Sequence, residues 1–413
     1  MALTPNQRRG FLAAWAGWAL DGMDSFVYAL VMVPALRELL PKSGHDATTA
    51  NIGYYGSILF ALFLIGWGCS FLWGPLADRF GRVRTLMLTI LCYSMFTFAG
   101  AIATSVWQLA IFRFLAGIGI GGEWTLGSTF ISEEWPEHRR TMGAGLMQTG
   151  YYGGILLAAL LNATVGAHYG WRAMFAIGGL PALLVVLIRF GVKDPARWKP
   201  STSALKPLKM IFSPTYRRRT ILNSLYLLVS ITGLWAGSVY VPTAVTALAN
   251  KDHVPATQAA SLGTAILSIG TILASVALPL IAERLGRRAA LAIFFAIMFC
   301  AVSIGFGYLF YLPNNALLLF QVNLLILGIG GGNFAVYAFW LPEQYPTECR
   351  ASAFAFATSS GRFLGAGITF LVGAGVAHFG SVGIPVALTS VAFLIGLLLL
   401  PFGVETKGQP LPE

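Results

Sequence analysis

Apolar residues fall along this chain in runs too long for a water-soluble fold. Runs of spanning length lie at roughly 11–36, 52–75, 84–104, 107–131, 141–166 and 171–190. They resume at roughly 220–248, 257–281, 289–311, 316–341, 351–377 and 382–403, with polar residues gathered between them. A helix rises about 1.5 Å per residue, so each run can cross a hydrocarbon core about 30 Å thick. The pattern predicts an all-α membrane protein of twelve transmembrane helices in two pseudo-symmetric six-helix bundles. The expected division is a first bundle over 1–190, a linker over 191–219, and a second bundle with a short tail over 220–413. The linker holds Lys193, Arg197, Lys199, Lys206, Lys209 and Arg217-Arg218-Arg219 among prolines, and reads as a surface connector with room for a short helix. Loops on the opposite side are short and leave no space for a soluble catalytic domain.

Composition sharpens this picture. Of the 413 residues 56% are hydrophobic and only 10% charged, and the mean hydropathy is +0.72. A chain of this kind needs lipid as its solvent. The net charge of +11 would suit nucleic acid if it were spread evenly, but it is not. About 21 of the 27 Lys and Arg fall in loops or tails on one side and about four on the other, the positive-inside bias of a polytopic protein. The reading is a multi-pass protein of the cell (plasma) membrane with both termini cytoplasmic and no nucleic-acid partner. Arg8 and Arg9 precede an apolar run without a small-residue cleavage pattern, so no removed signal peptide is expected. Cys69, Cys92, Cys300 and Cys349 show no paired spacing and read as packing residues. No metal cluster, phosphate loop, cofactor motif or nucleophile with its base is visible, so the chain does not read as an enzyme.

A segment repeats about half a chain apart. Gly74-Pro75-Leu76-Ala77-Asp78-Arg79-Phe80-Gly81-Arg82 returns as Pro279-Leu280-Ile281-Ala282-Glu283-Arg284-Leu285-Gly286-Arg287. A second match is independent of the first. Gly117-Ile118-Gly119-Ile120-Gly121-Gly122-Glu123, followed by Glu133-Glu134-Trp135-Pro136 and Arg140, returns as Leu327-Gly328-Ile329-Gly330-Gly331-Gly332-Asn333, followed by Glu343-Gln344-Tyr345-Pro346 and Arg350. Two matches at nearly one offset indicate a duplicated membrane domain, a common plan of secondary transporters.

On these residues the chain resembles the major facilitator superfamily over essentially its whole length. Asp78-Arg79-Phe80-Gly81-Arg82 is similar to that superfamily's loop 2–3 signature, and Arg113-Phe114-Leu115-Ala116-Gly117-Ile118-Gly119-Ile120-Gly121 to its helix 4 signature. Asp194-Pro195-Ala196-Arg197-Trp198 and Glu405-Thr406-Lys407-Gly408 resemble sugar-porter signatures. Asp21-Gly22-Met23-Asp24-Ser25-Phe26-Val27 and Gly121-Gly122-Glu123-Trp124 most resemble the sialate:proton symporter family of monocarboxylate and sialate carriers, with aromatic acid:proton symporters as near relatives. The seventh run lacks the paired glutamines of hexose porters and the His- and Asp-containing pattern of fungal lactate permeases.

Few ionisable groups stand inside the runs: Asp21, Asp24, Arg113, Glu123 and Arg362. Each would cost about 2.5–3.5 kcal/mol or more facing lipid, so each is a candidate functional residue. Asp21 and Asp24, three apart, share one helix face. Adjacent carboxylates in low dielectric do not both stay ionised cheaply, which suits proton uptake. The resemblance to proton-coupled sugar porters implies that Asp24 lies opposite Arg113. Asp21, Asp24, Arg113 and Glu123 are therefore the proton-coupling candidates. Glu123 matches neutral Asn333 in the repeat, so it too belongs to one half only. Arg362 matches Tyr152, and its planar fork suits a carboxylate. It is the candidate anchor for a substrate anion, with pairing to an internal acid as the bland alternative. Asn333, Tyr337, Gln148, Tyr152, Asn223 and Tyr226 are candidate lining residues, each weighed against ordinary packing. Asp78, Arg79, Arg82, Glu133 and Arg140, with Glu283, Arg284, Arg287, Glu343 and Arg350, are expected to form ion pairs that shut the cytoplasmic side.

The sequence thus predicts an alternating-access symporter, acting as a monomer, that moves a small organic anion such as a monocarboxylate or sialate with protons. The alternatives are a proton-coupled carrier of neutral sugar or aromatic acid and, more remotely, a membrane sensor without turnover.

Overall fold

The computed structural model describes residues 3–199 and 205–412. The expected linker therefore includes a stretch, 200–204, that lies outside the described residues. The described residues are helical, without strands. In the first half the six expected runs become α1 (Pro5–Lys42), α2 (Thr49–Cys69) continued through a 3-10 turn into α3 (Trp73–Phe80), α4 (Arg82–Ala101), α5 (Val106–Glu134), α6 (Glu137–Leu161), and α7 (Ala167–Ile177) with α8 (Ala182–Gly191). A short helix, α9 (Leu205–Ile211), follows. The second half comprises α10 (Arg217–Val239) with α11 (Val241–Lys251), α12 (Ala256–Leu285), α13 (Arg287–Gly307), α14 (Ala316–Gly331) with α15 (Phe334–Trp340), α16 (Arg350–Phe379), and α17 (Gly383–Thr389) with α18 (Val391–Leu399). Nine described helical stretches, with α2 and α3, α14 and α15, and α17 and α18 each taken together, are long and apolar enough to span a membrane. The other three spans are α7 with α8, α10 with α11, and α16.

Several spans are broken, and local sequence explains where. Gly178-Gly179 and Pro181 separate α7 from α8, and Pro242 opens α11 after Tyr240. Gly332 and Asn333 separate α14 from α15, whereas α5 runs unbroken through the matching Glu123. The same residue types also sit inside unbroken helices, Pro34 in α1 and Pro279 in α12.

Two glycine roles fix the architecture. Gly117 approaches the Phe63 carbonyl of α2 and Gly328 that of Leu267 on α12, so a side chain at either position would push the helices apart. Gly81 and Gly286 in the repeated loops have φ of 107° and 96°, a region L side chains rarely adopt. The acids that cap the following helices come from remote positions rather than from the loops themselves. Asp194 accepts from the Val83 N–H at 2.9 Å, and Glu405 accepts from the N–H groups of Arg287 (3.0 Å) and Arg288 (3.1 Å). The halves meet where α2 and α3 pack on α16 and α6 packs on α12 and α15. The end carrying the repeated loops is called the motif side below.

Candidate functional site

Four of the five intramembrane charges collect between α1, α4 and α5. Asp21 and Asp24 on α1, Glu123 and Arg113 on α5 are all buried. Asp24 accepts from Arg113 Nη1 at 3.4 Å. The Arg113 guanidinium lies over the ring of Phe63 at 4.1 Å and of Tyr28 at 5.0 Å, so aromatic faces add to the attraction of Asp24 in offsetting its burial. Glu123 accepts from the Thr89 hydroxyl at 3.4 Å, and its second oxygen lies against Gly17 of α1, where a side chain would strike it. Asp21 is within electrostatic reach of Glu123, Asp24 and Arg362. Neither Asp21 oxygen, nor Glu123 Oε2, has a hydrogen-bond partner among the described residues. Buried polar atoms left without partners call for a proton, water or ligand to complete them.

Arg362 stands on α16, twelve residues, or about 18 Å of helix, beyond Arg350. It is buried and reaches out of its own half. Its guanidinium lies over Trp67 of α2 at 4.2 Å and within 5.9 Å of Trp124 of α5. One nitrogen donates to the Thr358 carbonyl at 3.0 Å, and no carboxylate pairs with it among the described residues. Trp124 stacks on Trp18 (5.8 Å between centroids, 12° between planes), and Trp18 lies 4.7 Å from Tyr151. Trp124 also meets Phe354 at 5.1 Å and Phe334 at 5.8 Å, joining the halves between Arg362 and the motif side. Trp18 Nε1, Trp124 Nε1 and Gln148 Oε1 are buried and unpartnered among the described residues. Sequence reasoning named Gln148 but missed Trp18, Trp67 and Trp124. Trp124 adjoins Glu123, which was the available signal; the others are indistinguishable from packing aromatics.

The remaining lining candidates fall in three places. Tyr152 packs edge-on against Tyr151 at 5.6 Å, on the α6 face that also bears Gln148. Asn333 folds back at the α14–α15 break, its amide donating to the Gly330 carbonyl at 2.8 Å and its oxygen unpartnered among the described residues. Tyr337, Tyr226 and Asn223 point into the second half. Tyr337 donates to the Tyr226 carbonyl (2.9 Å) and meets Ser230 (2.8 Å). Tyr226 donates to the Leu399 carbonyl (2.9 Å) and stacks on Trp340, and Asn223 bonds Gln344 and Tyr345 near the motif side. The structure does not bring these three to Arg362.

At the motif side the repeat builds two matching networks. Arg82 binds Asp78 (2.7 Å) and Glu133 (2.9 Å), and Arg350 crosses from the second half to Glu133 (2.7 Å). Arg287 binds Glu283 (2.9 Å) and Glu343 (3.0 Å), and Arg140 crosses from the first half to Glu343 (3.3 Å). Further bonds join the halves: Ser352 N–H to Asp78 (3.0 Å), Arg82 Nη2 to the Thr347 carbonyl (3.0 Å) and the Thr141 hydroxyl to Glu283 (2.6 Å). Most of these groups are buried, so they are not weak surface pairs. Arg79 and Arg284 are exposed and stand outside both networks.

Comparison with known proteins agrees with this architecture. Residues 14–249 match the family described as Major Facilitator Superfamily, and residues 200–413 that described as Sugar (and other) transporter. The chain belongs to the major facilitator superfamily: it is a secondary transporter by class, not an enzyme. It is 30% identical to a probable 4-methylmuconolactone transporter of Cupriavidus pinatubonensis, covering 98% of this chain and 92% of that protein. Over 48% of this chain and 46% of the relative it is 32% identical to the sialic acid transporter NanX of Escherichia coli. The proton:xylose symporter XylE, solved with 6-bromo-6-deoxy-D-glucose, superimposes with a TM-score of 0.80 at 21% identity over 98% of each chain, a likeness of fold.

Proposed function

We propose that this protein carries a small organic carboxylate into the cell together with protons, by alternating access. The observation that carries this reading is Arg362: a cation buried between the halves, laid over Trp67, with no carboxylate of the protein paired to it among the described residues. A neutral sugar would leave that guanidinium with Asp21 only at longer range and no carboxylate bonded to it, whereas an anionic cargo takes two parallel hydrogen bonds from it. Trp67, Trp124 and Trp18 offer flat faces beside the anchor, which favours a cargo with a planar unsaturated or aromatic body. The muconolactone and sialic acid carriers among the relatives support an acid cargo.

Protons enter the scheme through Asp24, Asp21 and Glu123. A carboxylate beside a guanidinium releases its proton; drawn away into an apolar interior, it takes one up. The Asp24–Arg113 contact spans α1 and α5 and is long, so small helix movements make or break it. Asp21 and Glu123, both short of partners, are the second place where a proton could sit next to the substrate. The motif-side networks close one entrance and part when the other state forms. The basic motif side is assigned to the cytoplasm, with both termini there, in the cell membrane. One chain contains both halves, so a monomer suffices.

A thermal-shift screen of aliphatic and aromatic carboxylates against neutral sugars tests the cargo. Stabilisation by carboxylates alone, lost in Arg362→Ala, supports the reading; stabilisation by sugars alone overturns it.

A further inference from the structure

Beyond a 3-10 turn at Leu400–Phe402 the chain runs back across the motif side and touches both networks. Trp340 Nε1 donates to the Val404 carbonyl at 2.9 Å, and Glu405 caps α13. The Thr406 hydroxyl donates to Glu343 Oε2. The Gln409 carbonyl accepts from Arg140 Nη2 at 3.1 Å, and the Pro412 carbonyl accepts from Arg350 Nη2. Leu411 between them is only 4% exposed.

Both arginines that cross between the halves therefore also bond the backbone of one strap. The two bonds do different work. Arg350 and the strap belong to the same half, so the Pro412 bond adds to those with the Pro342 and Tyr345 carbonyls and the Thr347 hydroxyl in holding the guanidinium in the rotamer that meets Glu133 whether or not the halves touch. Arg140 belongs to the other half, so the Gln409 bond is itself a bond across the entrance. Arg140 reaches Glu343 only at 3.3 Å, and its Nε and Nη1 lack hydrogen-bond partners among the described residues. The strap is thus a main support of that crossing.

We propose that residues 405–412 are a positioning strap: they hold Arg140 and Arg350 in their crossing geometry and so favour the state closed at the motif side. Release of Gln409 from Arg140 accompanies opening of that side. The proposal rests on the gating role given to the networks above.

The test uses the full chain with its four cysteines replaced by serine and spin labels at Arg79→Cys and Arg284→Cys, two exposed sites in opposite halves. Pulsed dipolar spectroscopy then reads the separation of the halves. Deletion of residues 409–413, and separately Leu411→Asp, should each at least triple the long-distance fraction, while Leu411→Met restores the parent distribution. Glu133→Gln serves as the reference that breaks a network directly. Tail variants that superimpose on the parent while Glu133→Gln shifts overturn the strap alone. A Glu133→Gln distribution that also stays put overturns the gating reading, and the strap with it. Should the deletion fail to fold, the Leu411→Asp result decides.

Discussion

Arg350 and Glu133 are 217 residues apart in the chain, yet Arg350 Nη1 lies 2.7 Å from Glu133 Oε1 with both side chains shielded from solvent. Glu133 also holds Arg82, so one carboxylate ties a loop of the first half to the start of α16 in the second. Removing one partner of such a buried pair costs about 3–5 kcal/mol, because the other charge is left uncompensated. The loss falls on the closed state alone, since the groups regain water when the halves part. Glu133→Gln should therefore raise the rate at which an impermeant maleimide modifies Ala355→Cys, a site buried against Gly74 of α3, by at least tenfold. An unchanged rate would show that the networks do not hold this side shut.

Arg362→Lys keeps a positive charge but loses the planar fork and its stacking on Trp67. A charged hydrogen bond is worth about 1.5–3 kcal/mol, so apparent affinity for carboxylate cargo should fall about tenfold or more. Binding by calorimetry or competition reads the change. Equal affinity in the variant would remove the bidentate anchor from the account.

Glu123 depends on the absence of a side chain at Gly17. Gly17→Ala should push its carboxylate aside without altering any charge. Proton-driven uptake should drop severalfold in Gly17→Ala and in Glu123→Gln alike, and combining the two should add little. Wild-type uptake by Gly17→Ala would show that the contact is dispensable.

Glu405 gives a pH signature outside the membrane. Partial burial works against its charged form, but four backbone N–H donors, from Arg287, Arg288, Lys407 and Thr406, outweigh that and hold the carboxyl below the usual range. A depressed value means that the stabilisation is complete above the unfolded value, near about 4.3, and fades as pH falls through the folded value. Glu405→Ala should cost about 1 kcal/mol at neutral pH, as the loss of a helix cap does. Its melting temperature should converge on the parent's in acid below about pH 4. A constant difference across that range would contradict the assignment.

Much of the fold was legible because its cause is coarse. Twelve runs long enough to cross lipid and one repeated loop with a glycine that needs positive φ are written in local sequence. Breaks within spans were not legible, since the Gly and Pro residues at them also occur inside unbroken helices, as Pro34 in α1 and Pro279 in α12 do. The site was partly legible. Asp21, Asp24, Arg113, Glu123 and Arg362 stood out because ions are costly in lipid. Trp67, Trp124 and Trp18 did not, because a tryptophan beside an ion looks like one in packing until the halves are brought together. Tyr337 and Asn223 were lining candidates weighed against packing, and their polar atoms turn toward Tyr226, Ser230 and Gln344 inside their own half. Asp194 and Glu405, at the ends of the two halves, cap helices more than a hundred residues away, a pairing that only the folded repeat reveals.

The most direct test of the central claim is uptake of a radiolabelled carboxylate by purified protein in liposomes, with and without an acid-outside gradient. The account predicts accumulation above the outside concentration only with the gradient, and its collapse on adding a protonophore. It also predicts that Asp24→Asn loses this accumulation while still exchanging labelled for unlabelled cargo. Accumulation that ignores the gradient, or full uphill uptake by Asp24→Asn, would contradict it.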